Sequence, residues 1–243
     1  MALDPKYNIR PTDEMFVDYV ATPLTEEEAT YYLKTAWIKL FGSAPSTNSL
    51  AILFAQSCLE TGRWKMLRNN NWGNIKKRDG IQYTSYECSE ILNGKNINFN
   101  PYNPQTFFAS WPGPLEGAVG YLDFVSKKTR YQKAWEALKR GDVSSYVIEL
   151  HNAGYFTADV NMYLKTTTRL YNEFLSKKDT LLAWTPPVII EPAPEPPIEI
   201  KQEPPIIDLP EPQIPVANTP TNIKIDWITS LINFLKLIFG IKT

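Results

Sequence analysis

The sequence predicts an α+β fold: one mostly helical domain interrupted by a small β-hairpin lobe, then a proline-rich linker and a C-terminal apolar helix. Three observations carry this. Apolar residues recur at helical spacing on either side of a central segment. Between Gly80 and Phe107 the pattern becomes strand-like, with Tyr83, Thr84, Tyr86, Ile97 and Phe99 flanking an Asn93-Gly94 turn, which reads as a β-hairpin or a small irregular sheet. Composition then shifts near Trp184. Of the 20 prolines, 12 lie between Pro186 and Pro220, and glycine is absent there, which makes an extended, fairly stiff spacer. The division that follows is an N-terminal extension over 1–24, a globular domain over 25–185, a linker over 186–222 and an apolar or amphipathic helix over 223–243.

The elements follow in order. Thr25 and Glu28 form a capping box that opens a helix through Leu33, Trp37 and Leu40, and Gly42 ends it. A second helix starts near Thr47 and runs through Leu50, Leu53, Phe54 and Cys58 to Glu60, where Thr61-Gly62 breaks it. After the hairpin, helices are expected over PLEGAVGYLDFVSK, Tyr131 to Lys139, Val143 to Leu150 and Val160 to Ser176. From Ile225 to Ile241 apolar residues dominate. Asp226, Ser230, Asn233 and Lys236 leave only a thin polar face, and the length is close to the roughly 17-residue minimum for a membrane span. That helix is expected to meet a membrane, to self-associate or dock on a partner, or to pack back on the domain.

Bulk properties remove several functions. A net charge of −1 gives no basic field for nucleic acid. Cys58, Cys88 and the single His151 have no zinc-binding spacing, so no metal and no cofactor is expected. There is no G-x-S-x-G nucleophile elbow. The N-terminal MALDPKYNIRP has no apolar core, so no secretory signal is expected.

The stretch AQSCLETGRWKMLRNNNWGNIK, Ala55 to Lys76, holds the chemistry. Glu60 closes an apolar helix. The negative end of the helix dipole disfavours its charge by about 0.3–1 kcal/mol, and apolar neighbours raise its pKa further. A carboxyl that stays protonated at neutral pH is what a general acid needs to protonate a leaving oxygen. A plain solvated glutamate at a helix end has the same local sequence. Asn69, Asn70 and Asn71 supply amides, Trp72 an aromatic plane and Gly73 close backbone approach, a set that suits a sugar bearing hydroxyl and acetamido groups. An Asn-rich turn with a core tryptophan is the structural alternative.

These residues resemble the lysozyme-like peptidoglycan hydrolases of bacteria and phages, especially the β-N-acetylglucosaminidase group, with its A-x-x-x-E-[ST]-G helix end followed by N-N-x-[FW]-G-x-K. Ala55 is one residue off that spacing, whereas Glu60-Thr61-Gly62 and Asn70-Asn71-Trp72-Gly73-Asn74-Ile75-Lys76 match. SEILNGK (Ser89 to Lys95) is similar to the hairpin carrying the group's second acid. TFFASWPGPLEGAVGYLDFV is similar to F-R-x-[FY]-x-S-x-x-E-G, with Phe108 where Arg is usual. HNAGYFTADVNMY is similar to A-G-Y-x-T-D-x-x-Y, with Ala158 between Thr157 and Asp159. The resemblance spans roughly Thr25 to Leu175.

The resemblance implies that 25–185 is a lysozyme-like glycosidase domain cleaving β-1,4 bonds of the peptidoglycan glycan. Glu60 would be the general acid and Glu90 the second carboxylate, with Glu87 as its rival. Asn70, Asn71, Trp72, Gly73 and Tyr155 would bind substrate. A regular strand would point Glu87 and Glu90 to opposite faces. A carboxyl separation of about 5–5.5 Å would allow a retaining mechanism, and about 6.5–9.5 Å an inverting one. His151 reads as structural, and Trp64 and Trp111 as stacking platforms or core. Muramidase and lytic transglycosylase are alternative activities; a non-catalytic wall-binding or virion module is the alternative class. A wall hydrolase with no secretory signal suggests a phage product, either an endolysin or a virion-associated lysin held through its apolar helix.

Overall fold

The computed structural model describes residues 9–92, 95–156 and 158–187. Among the described residues, six α-helices and four short strands form a helical body with a small β lobe, as the α+β expectation required. The expected proline-rich linker and apolar C-terminal helix lie outside the described residues. Among the described residues, no helix is long and apolar enough to cross a membrane.

Helix α1 (Glu26–Phe41) opens with the full capping box: Thr25 accepts from the Glu28 amide, and the Glu28 carboxylate accepts from the Thr25 amide. It stops at Gly42, whose φ of 74° only glycine adopts without strain. Helix α2 (Thr47–Glu60), N-capped by Ser46, is buried continuously from Ser49 to Cys58. A helix buried on every side is the central pillar of its domain. The others gather round it: α3 (Pro114–Lys127), α4 (Gln132–Lys139), α5 (Val143–Asn152) and α6 (Val160–Ala183). Its chief partner is α6, while α1 packs mainly on α3. Leu53 and Phe54 of α2, Leu122 of α3, Leu138 of α4, Val147 of α5 and Phe174 of α6 share one core.

Helix α6 runs seven residues beyond the Ser176 expected from sequence. Leu181 is buried there, and Trp184 meets the Tyr31 ring edge-on at 5.7 Å. This burial carries the helix past the expected end.

The β lobe is two sheets rather than one hairpin. β2 (Cys88–Leu92) and β3 (Lys95–Phe99) form the expected antiparallel hairpin, with the Asn93-Gly94 turn outside the described residues. Tyr83 and Thr84 instead belong to β1 (Tyr83–Ser85), which pairs antiparallel with the distant β4 (Phe107–Ala109). The lobe has its own core, in which Tyr86 stacks on Phe108 with centroids 4.2 Å apart and planes 6° from parallel.

Residues 15–22, from the segment read as an extension, strap the lobe to the body. Met15 and Val17 bond the Tyr83 backbone, Val20 O accepts from the Asn69 amide, and the Thr22 amide donates to Leu67 O. Cys58 and Cys88 are both buried and are not joined by a disulfide.

Candidate active site

Glu60 is the last residue of α2, so the chain direction of the central pillar sets its place. The helix end is tied off locally. Thr61 Oγ1 donates to Ser57 O at 2.6 Å and accepts from the Trp64 amide at 3.1 Å. Gly62 then turns with φ 57°, and the Arg63 amide donates to Cys58 O. This is the physical content of the E-T-G sequence. Threonine satisfies groups the helix leaves open, and glycine takes the left-handed turn.

The Glu60 side chain is half-buried and makes no ion pair among the described residues. Its Oε1 accepts from Tyr163 Oη at 2.9 Å, and its backbone carbonyl accepts from Asn74 Nδ2 at 2.7 Å. Burial pushes the carboxyl up to about 7, against the smaller opposing effect of hydrogen bonds from Tyr163 and Asn74. A proton is thus held to near neutrality, as a general acid requires.

The Asn-rich segment has a structural job. Arg63, Trp64, Asn69, Asn70 and Asn74 all have positive φ, between 46° and 57°. Asparagine tolerates this left-handed region better than most residues, so the run of asparagines encodes a tightly folded loop. Asn71 is buried: its Nδ2 donates to Ile75 O and Ala109 O, and its Oδ1 accepts from the Ile75 amide. Asn70 Nδ2 donates to Trp111 O. Trp72 is fully buried, with its ring nitrogen donating to Pro114 O at 3.0 Å. In this structure the hydrogen bonds described for the side chains of Asn70, Asn71 and Trp72 all hold the loop. Gly73 is required by packing, since a Cβ there would meet the Tyr121 ring at 2.8 Å and Tyr155 Oη at 2.9 Å. Trp64 is likewise core, edge-on to Phe54. Trp111 is half-buried against Gly120.

Behind Glu60 lies a group of phenols. Tyr155 Oη donates to Gly73 O at 3.2 Å, and its ring packs edge-on against Tyr131. Tyr121 and Tyr146 both donate to Oε1 of the buried Gln56, one helical turn before Glu60. Burial holds the Tyr121, Tyr146, Tyr155 and Tyr163 phenols well above their ordinary value, so all are neutral donors at any working pH. Tyr163 was not singled out from sequence. Its one signal was its place as the last residue of the A-G-Y-x-T-D-x-x-Y-like stretch. In that stretch Asp159 caps α6, accepting from the Met162 amide at 2.8 Å, which gives the acid a structural role. The His151 ring lies 5.3 Å from Phe156.

The two β-lobe acids stand differently from the sequence argument. Glu90 is in β2, in register with Ile97 of β3. Glu87 is exposed and precedes β2, which starts at Cys88, so strand alternation does not relate it to Glu90.

The loop after Glu60 is clamped from outside. Arg63 forms a two-pronged ion pair with Glu173 of α6, at 2.6 and 2.9 Å, and reaches Glu26 at the start of α1 at 2.6 Å. Lys177 joins both carboxylates.

A carboxyl poised near pH 7 at a helix end, backed by neutral phenols, is the kind of group that a glycosidase needs as its acid. Residues 45–177 match the glucosaminidase family, described as mannosyl-glycoprotein endo-β-N-acetylglucosaminidase, and the chain belongs to that family. No curated protein sequence matches it. Similar solved structures include a peptidoglycan hydrolase mutant from Sphingomonas sp. A1, with 19% identity, a TM-score of 0.49, and 64% of this chain and 99% of that chain covered. The peptidoglycan hydrolase from the same organism has 18% identity, a TM-score of 0.46, and 68% and 96% covered. A C-terminally truncated glycoside hydrolase domain of Salmonella typhimurium FlgJ has 18% identity, a TM-score of 0.42, and 62% and 98% covered.

Proposed function

We propose that the protein cleaves β-1,4 glycosidic bonds of the bacterial cell-wall glycan beside N-acetylglucosamine, with Glu60 as general acid. The observation that carries this is the half-buried Glu60 carboxyl, raised to about 7 and held by Tyr163. Family membership supplies the bond class, and the ordered motifs from Glu60 to Tyr163 favour peptidoglycan over a glycoprotein glycan. Glu60 protonates the leaving oxygen, and positive charge grows on the sugar ring. A carboxylate of the β lobe, Glu90 or Glu87, or the substrate's own acetamido group, stabilises that charge. Tyr155 stands beside the acid as a hydroxyl for the sugar or the attacking water.

Mass spectrometry of digested walls tests the reading. New N-acetylglucosamine reducing ends support it. New muramic ends mean a muramidase, anhydro ends a transglycosylase, and binding without release a non-catalytic module. Glu60→Gln is expected to lower the rate by about 10²–10⁴-fold while the protein stays folded. The proline-rich segment and the apolar C-terminal segment are proposed to serve as tether and anchor, as suits a phage endolysin or a lysin carried in the virion. Comparing the membrane or particle fraction of the full chain with that of a chain ending at Thr221 checks the anchor.

A further inference from the structure

We propose that Tyr163 is a positioning residue that sorts the two oxygens of Glu60: its hydroxyl engages Oε1, which leaves Oε2 as the oxygen that carries and delivers the proton. This rests on the reading of Glu60 as the acid and adds a role for a residue outside it. The contact is specific. Tyr163 Oη lies 2.9 Å from Oε1, and among the described residues no hydrogen bond reaches Oε2. A phenol held neutral by burial can only donate to a carboxylate, so Oε1 is the acceptor while Glu60 is ionised. When Glu60 is protonated, the same donor keeps Oε1 as the carbonyl-type oxygen and the hydrogen sits on Oε2.

The phenol is itself fixed. Phe156 stacks on the Tyr163 ring with centroids 3.8 Å apart and planes 6° from parallel. One turn further along α6, Thr167 Oγ1 donates to Tyr163 O at 2.9 Å. A ring clamped by stacking on a well-bonded helix turn is a firm donor, and firm donors fix the geometry of the group they hold.

The groups facing Glu60 are Tyr163 from α6, Tyr155 from the α5–α6 connection, Tyr146 from α5 and Asn74 from the loop after α2. None of these carries charge at neutral pH. Of the two that hydrogen-bond Glu60, Asn74 reaches its backbone carbonyl and Tyr163 its carboxyl, so Tyr163 has the larger hold on the balance between the two forms. Its hydrogen bond favours the ionised form, so removing it must raise the pKa further.

The test is Tyr163→Phe in the full chain, read in two ways. In the pH dependence of kcat/KM, the alkaline limb is expected to move up by about one unit, and kcat is expected to fall about 3–10-fold with little change in KM. Infrared difference spectroscopy follows the protonated carboxyl band, identified by its loss in Glu60→Gln, and is expected to show the same upward shift without any turnover. Phe156→Leu frees the phenol ring and is expected to move both in the same direction by less. An unmoved carboxyl titration in both variants overturns the proposal, whatever the activity. If Glu60→Gln keeps its activity, the general-acid reading and the delivery role fall together, and the infrared titration still decides whether Tyr163 holds the carboxyl. If Glu60→Gln is inactive while Tyr163→Phe and Phe156→Leu keep the parent limb and titration, the positioning role alone falls.

Discussion

At the level of single residues, Glu60 is held at a cost to the fold. Its pKa is about 7 in the folded state and near 4.5 in the unfolded chain. The folded state therefore binds the extra proton between these values, and stability falls as pH rises from about 4.5 to 7. The penalty, of order 3 kcal/mol at most, is complete above 7 and absent below 4.5. Glu60→Gln, which cannot ionise, is thus expected to be more stable than the parent at pH 8 and equal to it at pH 4. Denaturant melts at the two pH values check this; equal stability at both would mean the carboxyl is not strained. The identity and helix-end position of this residue were legible in the sequence, because a carboxylate at the end of an apolar run conflicts with both burial and the helix dipole. The job of its neighbours was not. Asn70, Asn71 and Trp72 look like sugar ligands in one dimension, and only the positive φ of Asn70 and the bonds that all three make within the loop reveal their part in the scaffold. Tyr163 was hidden for another reason. A tyrosine inside an amphipathic helix carries no mark of what lies opposite it, and here that is a residue 103 positions away.

Two contacts between elements hold the Glu60 loop in place. In α3, a Cβ on Gly117 would stand 2.0 Å from the backbone carbonyl oxygen of Asn70, so the helix and the loop touch backbone to backbone. Gly117→Ala must push them apart, and a loss of at least about 2 kcal/mol is expected from the shift in urea midpoint. The second contact is the Arg63 clamp on α6 and α1. Arg63 holds the Glu173 carboxyl down to about 2. A folded pKa below the unfolded 4.5 adds stability that is present above 4.5 and lost as pH falls to about 2. Both partners keep some exposure, 25% for Arg63 and 20% for Glu173, so solvent reduces the effect. Glu173→Gln is expected to cost about 1–2 kcal/mol at pH 7 and nothing near pH 2, by chemical melts at each pH. The elements themselves were largely readable: caps and periodicity marked α1 through α5 to within two residues. The β1–β4 pairing was not, since it joins segments 24 residues apart whose local pattern fits a hairpin equally well.

For the molecule as a whole, one core runs through all six helices, and the chain leaves it after Trp184 docks on Tyr31. We propose that the folding unit is complete by residue 187. A chain of residues 1–187 is expected to melt within about 2 °C of the full chain, a difference under about 1 kcal/mol, and to cleave soluble glycan fragments at the same rate. A lower melting temperature would show that the proline-rich or apolar segment contributes to the core. The change in composition at Trp184 made this boundary visible, because a glycine-free run of prolines cannot build a core. What the sequence left unsaid is how the acid's surroundings are shared. Glu60 closes the second helix, and its phenol partner sits in the sixth. A nascent chain that has emerged only as far as α5 lacks the α6 surface packed on α2, so the Glu60 carboxyl is expected to be more hydrated there and closer to its ordinary value of 4.5. The desolvation that keeps this carboxyl protonated is thus expected to be complete only once α6, the last helix among the described residues, has docked.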